Sequence, residues 1–444
     1  MNRTNDLLFG FAEADITPEG PVVTIGFGRA DETSRGVLSG LCAQVAVWRK
    51  DDGPCCLAAI DHIGFSRAHA DELRDFIGAA LGTPRERVML CFSHTHAGPN
   101  DSAEPEWFRM ACGRIVRCAK EALGNMRPVR AAWGNAETDI GVNRRAGNDA
   151  LDRRIGILKV QDAETGTPLL LLLRLTAHAN VLKADNYLVS PDFFGAVRLA
   201  LHEKYGCPVM ATQGASGNVS PKYFQSRLTP PDAADERYVR SETALSEMAQ
   251  TVLRDAAPVI DALVPKAGER LEMYVRRIAL AADVPTPARA EEIAEEARAL
   301  CGIDGASWLS EVARLNGAGI REQREEVEAQ YLLIGDGCLC GVPNEIMCEF
   351  ALRASDFLGN GLFHLGGYTN GCTGYFPTEE EFDKGGYEVY WSMLTYYIYF
   401  HRVFPFRRDS AAALIRFVVD NAPRAKNGNF PAVLSSFVEN GERA

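Results

Sequence analysis

Two imidazoles two residues apart close the apolar run Val88-Met89-Leu90-Cys91-Phe92, in the stretch Ser93-His94-Thr95-His96-Ala97-Gly98-Pro99. The run reads as a buried strand, on which residues i and i+2 face the same way, so the rings of His94 and His96 are expected to project together. Gly98-Pro99-Asn100-Asp101 then stops the strand, and strand ends are where α/β proteins present ligands and reactive groups. This spacing suits metal ligation or proton transfer, although a satisfied histidine pair on a loop has the same pattern. His178, in Leu175-Thr176-Ala177-His178-Ala179-Asn180, ends another apolar strand. Gly214-Ala215-Ser216-Gly217-Asn218-Val219-Ser220-Pro221 is a glycine-rich turn that could offer Ser220 and backbone N–H donors to a substrate. Glu345, in Gly341-Val342-Pro343-Asn344-Glu345, adds a carboxylate at a strand-to-helix turn and would complete a nitrogen and oxygen donor set. Tyr375 lies in an aromatic loop running from Gly367 to Thr378, and Tyr387 follows it. Taken alone, such tyrosines read as packing residues. The chain has no Gly-x-Ser-x-Gly elbow and no evident Ser-His-Asp order, which disfavours a serine hydrolase.

The elements that must position these groups alternate. Strand-like segments fall near 8–14, 42–49, 55–60, 88–92, 154–161, 168–175, 207–212, 267–280 and 330–341. Several are continuous in Val, Ile and Leu, as in sheets covered on both faces. Amphipathic helical patterns occupy 67–81, 104–124, 192–205, 234–255 and 386–402. The pattern predicts an α/β fold with a large mixed sheet and flanking helices. Residues 285–329 are rich in Ala, Glu and Arg, which suits solvated helices with charge pairs. They read as a helical insertion within a single domain spanning 1–444.

Composition bounds the function classes. The chain's 444 residues, 46% of them hydrophobic, can bury a large core. A formal net charge of −12, with 47 scattered Lys and Arg, argues against a nucleic-acid surface and for a small or neutral substrate. The short apolar patch at 7–11 is broken by Gly10 and followed by Glu13 and Asp15, which is not the pattern of a signal peptide. No apolar run approaches the ~20 residues of a membrane helix. The expectation is a soluble, cytoplasmic protein without stable membrane insertion. The twelve cysteines are spread through apparent strands and helices, where they read as buried small hydrophobes and not as a zinc knuckle.

Taken together and in order, the motifs resemble those of the neutral, non-lysosomal ceramidase family of zinc amidases. Asp15-Ile16-Thr17-Pro18 is similar to the family's opening and His94-Thr95-His96 to its His-Thr-His-Ser-Gly-Pro signature. Asn143-Arg144 resembles its Asn-Arg-Ser, Gly217-Asn218-Val219-Ser220-Pro221 its Gly-Asp-Val-Ser-Pro, and Pro343-Asn344-Glu345 its Pro-Gly-Glu. His178, Tyr375 and Tyr387 fall where the family has a second ligand histidine, a zinc-binding tyrosine and a catalytic tyrosine. The resemblance implies a ceramidase-like catalytic domain holding Zn2+ on His94, His178, Glu345 and Tyr375. It also implies His96, Arg144, Ser220 and Tyr387 in catalysis, cleaving an amide of a small or amphiphilic substrate with metal-activated water. Glu345 and His96 would handle the proton, and Arg144 and Tyr387 would brace the oxyanion.

The chain departs from the family at Ala97, Asn218, Asn344 and Val389, and it reaches its end near Phe430-Pro431. These features imply a changed substrate wall and no immunoglobulin-like C-terminal domain. They point to a compact amide rather than ceramide. Two alternatives stay open at this level: a metal-dependent ester or phosphoester hydrolase, and a non-catalytic zinc-containing binding protein of the same fold. A homo-oligomer is compatible with either.

Overall fold

The computed structural model describes residues 6–222, 242–268 and 270–423. Eight strands form the main path of the larger sheet: β1 (Leu8–Asp15), β2 (Cys42–Lys50), β3 (Gly53–Ile60), β4 (Val88–Phe92), β5 (Arg127–Glu137), β6 (Arg154–Asp162), β7 (Pro168–Leu175) and β8 (Val209–Gln213). Their order is β8-β7-β6-β5-β1-β2-β3-β4, with the short strand Lys266–Ala267 beside β5. The two outermost pairs, β7/β8 and β3/β4, are parallel, and the inner pairs are antiparallel. A second sheet has the order β9-β10-β11-β12, where β9 is Leu271–Asp283, β10 is Glu322–Ile334, β11 is Gly337–Gly341 and β12 is Phe363–Gly366.

Apolar residues on both faces of the strands dictate four layers. The two sheets face each other through Trp48, Leu57, Met89, Trp133, Leu158 and Leu172 on one and Met273, Leu332, Ile334 and Leu339 on the other. Helices α1 (Arg67–Leu81) and α2 (Pro105–Gly124) cover one half of the large sheet's outer face. Helices α3 (Phe193–Tyr205) and α4 (Glu242–Ala262) cover the other half. The second sheet is backed by α7 (Cys348–Leu358) and α9 (Ser410–Asp420). Between β9 and β10 lie α5 (Pro287–Cys301) and α6 (Ala306–Gly317), which share a separate apolar cluster with α8 (Ser392–Phe400) through Ile293, Trp308 and Leu394.

The structure corrects the sequence reading in detail. The arginine-bearing β5 escapes a search for apolar runs, because only positions such as Val129, Trp133 and Ala136 are buried. The expected strand at 330–341 is a hairpin turning at Gly335, whose φ of 65° suits glycine. The helical insertion at 285–329 is shorter than expected, since β10 begins at Glu322 and pairs with β9 along its whole length. The expected helix at 234–255 begins partly outside the described residues, and α4 runs on to Ala262. The expected helix at 386–402 opens as a π-turn, Tyr387–Trp391, before α8. Helices α7 and α9 went unread. All twelve cysteines are free and most are buried. Among the described residues no helix is long and apolar enough to cross a membrane.

Candidate metal centre

Three chain reversals at strand ends converge. Gln213, the last residue of β8, donates from Nε2 to the carbonyls of Ser93 (3.1 Å) and Ala177 (2.7 Å). The segment leaving β4 is thereby joined to the one leaving β7. The N–H of His96 donates to Ala179 O (3.3 Å), and that of His178 to Val219 O (3.0 Å). Gly217 N–H donates to Ile346 O (2.9 Å), drawing in the Glu345 segment. There Glu345 stands opposite Tyr375 in a short parallel pairing. His94 has φ 62°, a left-handed conformation that costs a non-glycine residue free energy and tends to gather at functional sites.

All three imidazoles are oriented by the same device. His94 Nδ1–H donates to Ile63 O (2.6 Å), His96 Nδ1–H to Gly26 O (3.0 Å) and His178 Nδ1–H to Ser216 O (2.7 Å). A carbonyl only accepts, so Nδ1 must carry the hydrogen in each ring. Each Nε2 is therefore the inward end, the arrangement by which proteins orient metal-binding histidines. A side chain at position 26 would meet His96, its Cβ lying 2.8 Å from Nδ1, so glycine is required there. Potential ligand atoms of His94, His96 and His178 lie within 4.8 Å of one another. Glu345 Oε2 lies 3.2 Å from His94 Nε2 and 3.4 Å from His178 Nε2.

This cluster has the electrostatics of a cation site. Burial lowers the pKa of His178 to about 3 and that of His96 well below the ordinary range, which leaves both rings neutral with a lone pair on Nε2. Neither Nε2 has a hydrogen-bond partner. Burial pushes the Glu345 pKa up, and the carboxylate is held well below its usual range only by positive charge at the His94 and His178 side of the cluster, a charge that an ion would have to supply where the rings are neutral. A carboxylate oxygen facing imidazole lone pairs needs a positive charge between them, and the nitrogen and oxygen donors suit a borderline divalent ion such as zinc.

Around the cluster, Arg144 donates from Nη2 to Gly217 O (2.7 Å) and to the Tyr375 hydroxyl (3.0 Å). Its Nε lies 2.7 Å from Glu388 Oε1. Arg145 ties the same carboxylate to Glu381, with Nη1 2.8 Å from Glu388 Oε2 and Nε 2.6 Å from Glu381 Oε2. These pairs fix the π-turn that carries both Glu388 and Tyr387, and π-turns recur at functional sites. Burial and the Glu345 carboxylate push the Tyr375 phenol up, opposed by Arg144. Burial likewise holds Tyr387 as a neutral phenol.

A cavity of about 270 Å³ opens onto the cluster, lined among others by His94, His96, Glu345, Arg144, Tyr375 and Tyr387. His178 lies behind it, fully buried. Ser220 is not among the lining residues. It belongs to a short strand paired with Gly141–Asn143, and the serine of that turn which reaches the site is Ser216, whose hydroxyl donates to Tyr368 (3.1 Å). Arg144 is also differently engaged than expected, since its Nη2 is hydrogen-bonded to protein groups and its Nε is ion-paired with Glu388 without hydrogen-bond geometry. Sequence reasoning gave no role to Tyr368, whose hydroxyl donates to Glu345 Oε2 (3.4 Å) and whose ring lies 4.2 Å from that of His94. Its place in the aromatic loop was the available signal. At the cavity mouth Tyr399 is 38% exposed, and next to it on α8 Ile398 is 57% exposed. This small apolar lip was not expected from sequence.

Among the solved structures that share the fold are two ceramidases. A neutral ceramidase from Pseudomonas aeruginosa superposes with a TM-score of 0.69, covering 94% of this chain and 74% of that one at 19% identity. A ceramidase complexed with C2 gives a TM-score of 0.68, with the same coverages and 18% identity. The chain thus has a neutral ceramidase-like fold, as the motif resemblance implies. No family model and no curated protein sequence matches it.

Proposed function

We propose that this protein is a metal-dependent amidohydrolase that cleaves the C–N bond of a compact N-acyl substrate, with zinc as its ion. The observation that carries the reading is the convergence of three Nδ1-anchored histidines with an ionised, buried Glu345 at the floor of a cavity. The ceramidase fold supports amide chemistry as the reaction class. In this reading His94, His178, Glu345 and Tyr375 hold the ion, which supplies Lewis acidity toward water and the amide carbonyl.

The remaining groups have separable roles. His96 Nε2, neutral and unpartnered at the cavity, accepts a proton from the attacking water and returns it to the departing amine nitrogen as the C–N bond breaks. Tyr387 donates its O–H to the carbonyl oxygen as negative charge grows there. Arg144 holds Tyr375 by its 3.0 Å hydrogen bond. Ser216 and Tyr368 hold Glu345 in place from behind. Water supplies the hydroxyl of the acid product, and its proton leaves with the amine, so no co-reactant is needed.

A volume of about 270 Å³ is at or below the lower end for pockets that enclose drug-sized ligands, which favours a compact substrate over a long-chain ceramide. The test is elemental analysis combined with turnover of N-acyl amides of graded chain length, before and after chelation, with carboxylic and phosphate esters in parallel. The expected result is metal-dependent cleavage of short amides. Metal-dependent cleavage of esters or phosphate esters alone overturns the bond assignment, and faster cleavage of micellar ceramide overturns the size argument.

A further inference from the structure

The cavity wall beside His96 comes from a loop that the mechanism does not use. The short strand Thr24–Ile25 pairs with Gly98–Pro99, and this pairing brings Gly26 and Phe27 alongside His96. Gly26 O takes the Nδ1–H of that ring, and the phenyl ring of Phe27 lies against the same imidazole, with centroids 5.1 Å apart and a tilt of 49°. Phe27 also lines the cavity. A bound substrate therefore meets this phenyl ring next to the proposed proton carrier.

Arg29 pins the ring. Its side chain is 5% exposed, and its guanidinium carbon lies 4.9 Å from the centroid of Phe27 and 4.7 Å from that of Tyr187. It donates from Nε to Ala184 O (2.9 Å), from Nη2 to Asn186 O (2.7 Å) and from Nη1 to Thr24 Oγ1 (3.2 Å), and Glu32 Oε2 lies 3.5 Å from Nη1. Arg35 stacks on Tyr187 in turn (3.8 Å), and its N–H donates to Tyr187 O (2.8 Å). A guanidinium tied at every nitrogen holds its aromatic partners in one place. Phe27 is thus a wall on a rigid support, which is what shape discrimination needs.

The neighbour decides which half of the substrate the wall meets. To return a proton to the departing nitrogen, His96 must come within about 3 Å of it, and the substituent on that nitrogen then enters the space beside Phe27. We propose that Phe27 is a specificity-determining residue that limits the size of the amine half of the substrate. The proposal rests on the amidohydrolase reading and narrows its substrate class to N-acyl derivatives of small amines. A packed wall discriminates between ligands differing by single methylenes by about tenfold or more, because the larger one must displace side chains held in place.

The experiment compares N-propylacetamide with two isomers, N-hexylacetamide and N-propylpentanamide, which carry the same added methylenes on the amine half and on the acyl half. Binding to metal-loaded wild type, Phe27→Ala and Phe27→Trp is measured by calorimetry, and kcat/KM is measured beside it. Circular dichroism and metal content confirm that each variant is folded and loaded. Wild type is expected to favour N-propylacetamide over N-hexylacetamide by about 10- to 100-fold. Phe27→Ala is expected to reduce that ratio to below about threefold and Phe27→Trp to raise it, while the ratio of N-propylacetamide to N-propylpentanamide moves by less than about threefold in either variant. Equal acceptance of N-hexylacetamide by wild type, or an unchanged amine-half ratio in both variants, overturns the proposal. Equal movement of both ratios, the sign of a loop that has merely loosened, overturns it too. Absence of turnover with a retained, Phe27-dependent binding preference overturns the amidohydrolase reading and leaves the wall standing.

Discussion

Removing the charge of Glu388 should harm this protein more than removing its partner as well. Arg144 Nε lies 2.7 Å from Glu388 Oε1, with the side chains 22% and 11% exposed. At an effective dielectric of about 20 this separation corresponds to an attraction of about 6 kcal/mol, much of it cancelled by lost hydration. A coupling of about 2–4 kcal/mol remains, within the range of close charge pairs. Glu388→Gln leaves Arg144 uncompensated and leaves Arg145 with Glu381 alone, so it should lower the unfolding free energy by about 3 kcal/mol. Arg144→Met with Glu388→Gln should recover part of that loss. The assay is a double-mutant cycle by urea unfolding of the metal-free protein. Metal affinity provides a second readout: Arg144→Met should weaken it about 10- to 100-fold by releasing Tyr375. Additive stabilities within about 0.5 kcal/mol, or an unchanged metal affinity in Arg144→Met, would refute the network.

Other perturbations act on single roles. His96→Ala should keep the metal and lower kcat/KM by a factor of about 100 or more, and a normal rate on a validated substrate would remove it from the mechanism. Tyr387→Phe should lower kcat about 10²- to 10³-fold with little change in KM, the scale of one oxyanion donor; steady-state kinetics decide this. His364, buried against Trp133, has its pKa lowered from 6.5 to about 3 by burial and by the nearby Arg154 and Arg174. The unfolded chain then binds the extra proton, so this contribution is complete above pH 6.5 and is lost as pH falls from 6.5 toward 3. His364→Phe should therefore flatten the loss of stability between pH 6.5 and 5 by about 2 kcal/mol; an unchanged pH dependence by urea unfolding would contradict the assignment.

How much of this was legible in the sequence depended on how local the cause was. Apolar runs ended by Gly, Pro and Asn marked β4 and β7, and the chemistry-bearing residues His94, His96 and His178 stand just past those ends because strand ends are where side chains leave the sheet. Glu345 was legible as a carboxylate at a strand-to-helix turn, whereas Tyr375 came into view as a ligand only through motif order, and their adjacency is made by a two-residue parallel pairing with no periodicity to detect. β5 was missed because its polar and apolar residues alternate irregularly at the middle of the sheet. The roles of Ser216 over Ser220, the pairing of Glu388 with Arg144 and the contact of Phe27 with His96 all depend on side-chain direction across segments far apart in the chain. Spacing carries no record of that.

The central claim is that the buried histidine and carboxylate cluster holds a catalytic metal ion. The most direct measurement is the metal content of purified wild type and of His94→Ala by plasma mass spectrometry, each shown to be folded by circular dichroism. The account predicts about one equivalent of zinc per chain in wild type, and its loss together with amidase activity in the folded variant. A metal-free wild type that turns over amides, or a His94→Ala protein still carrying a full equivalent, would contradict it.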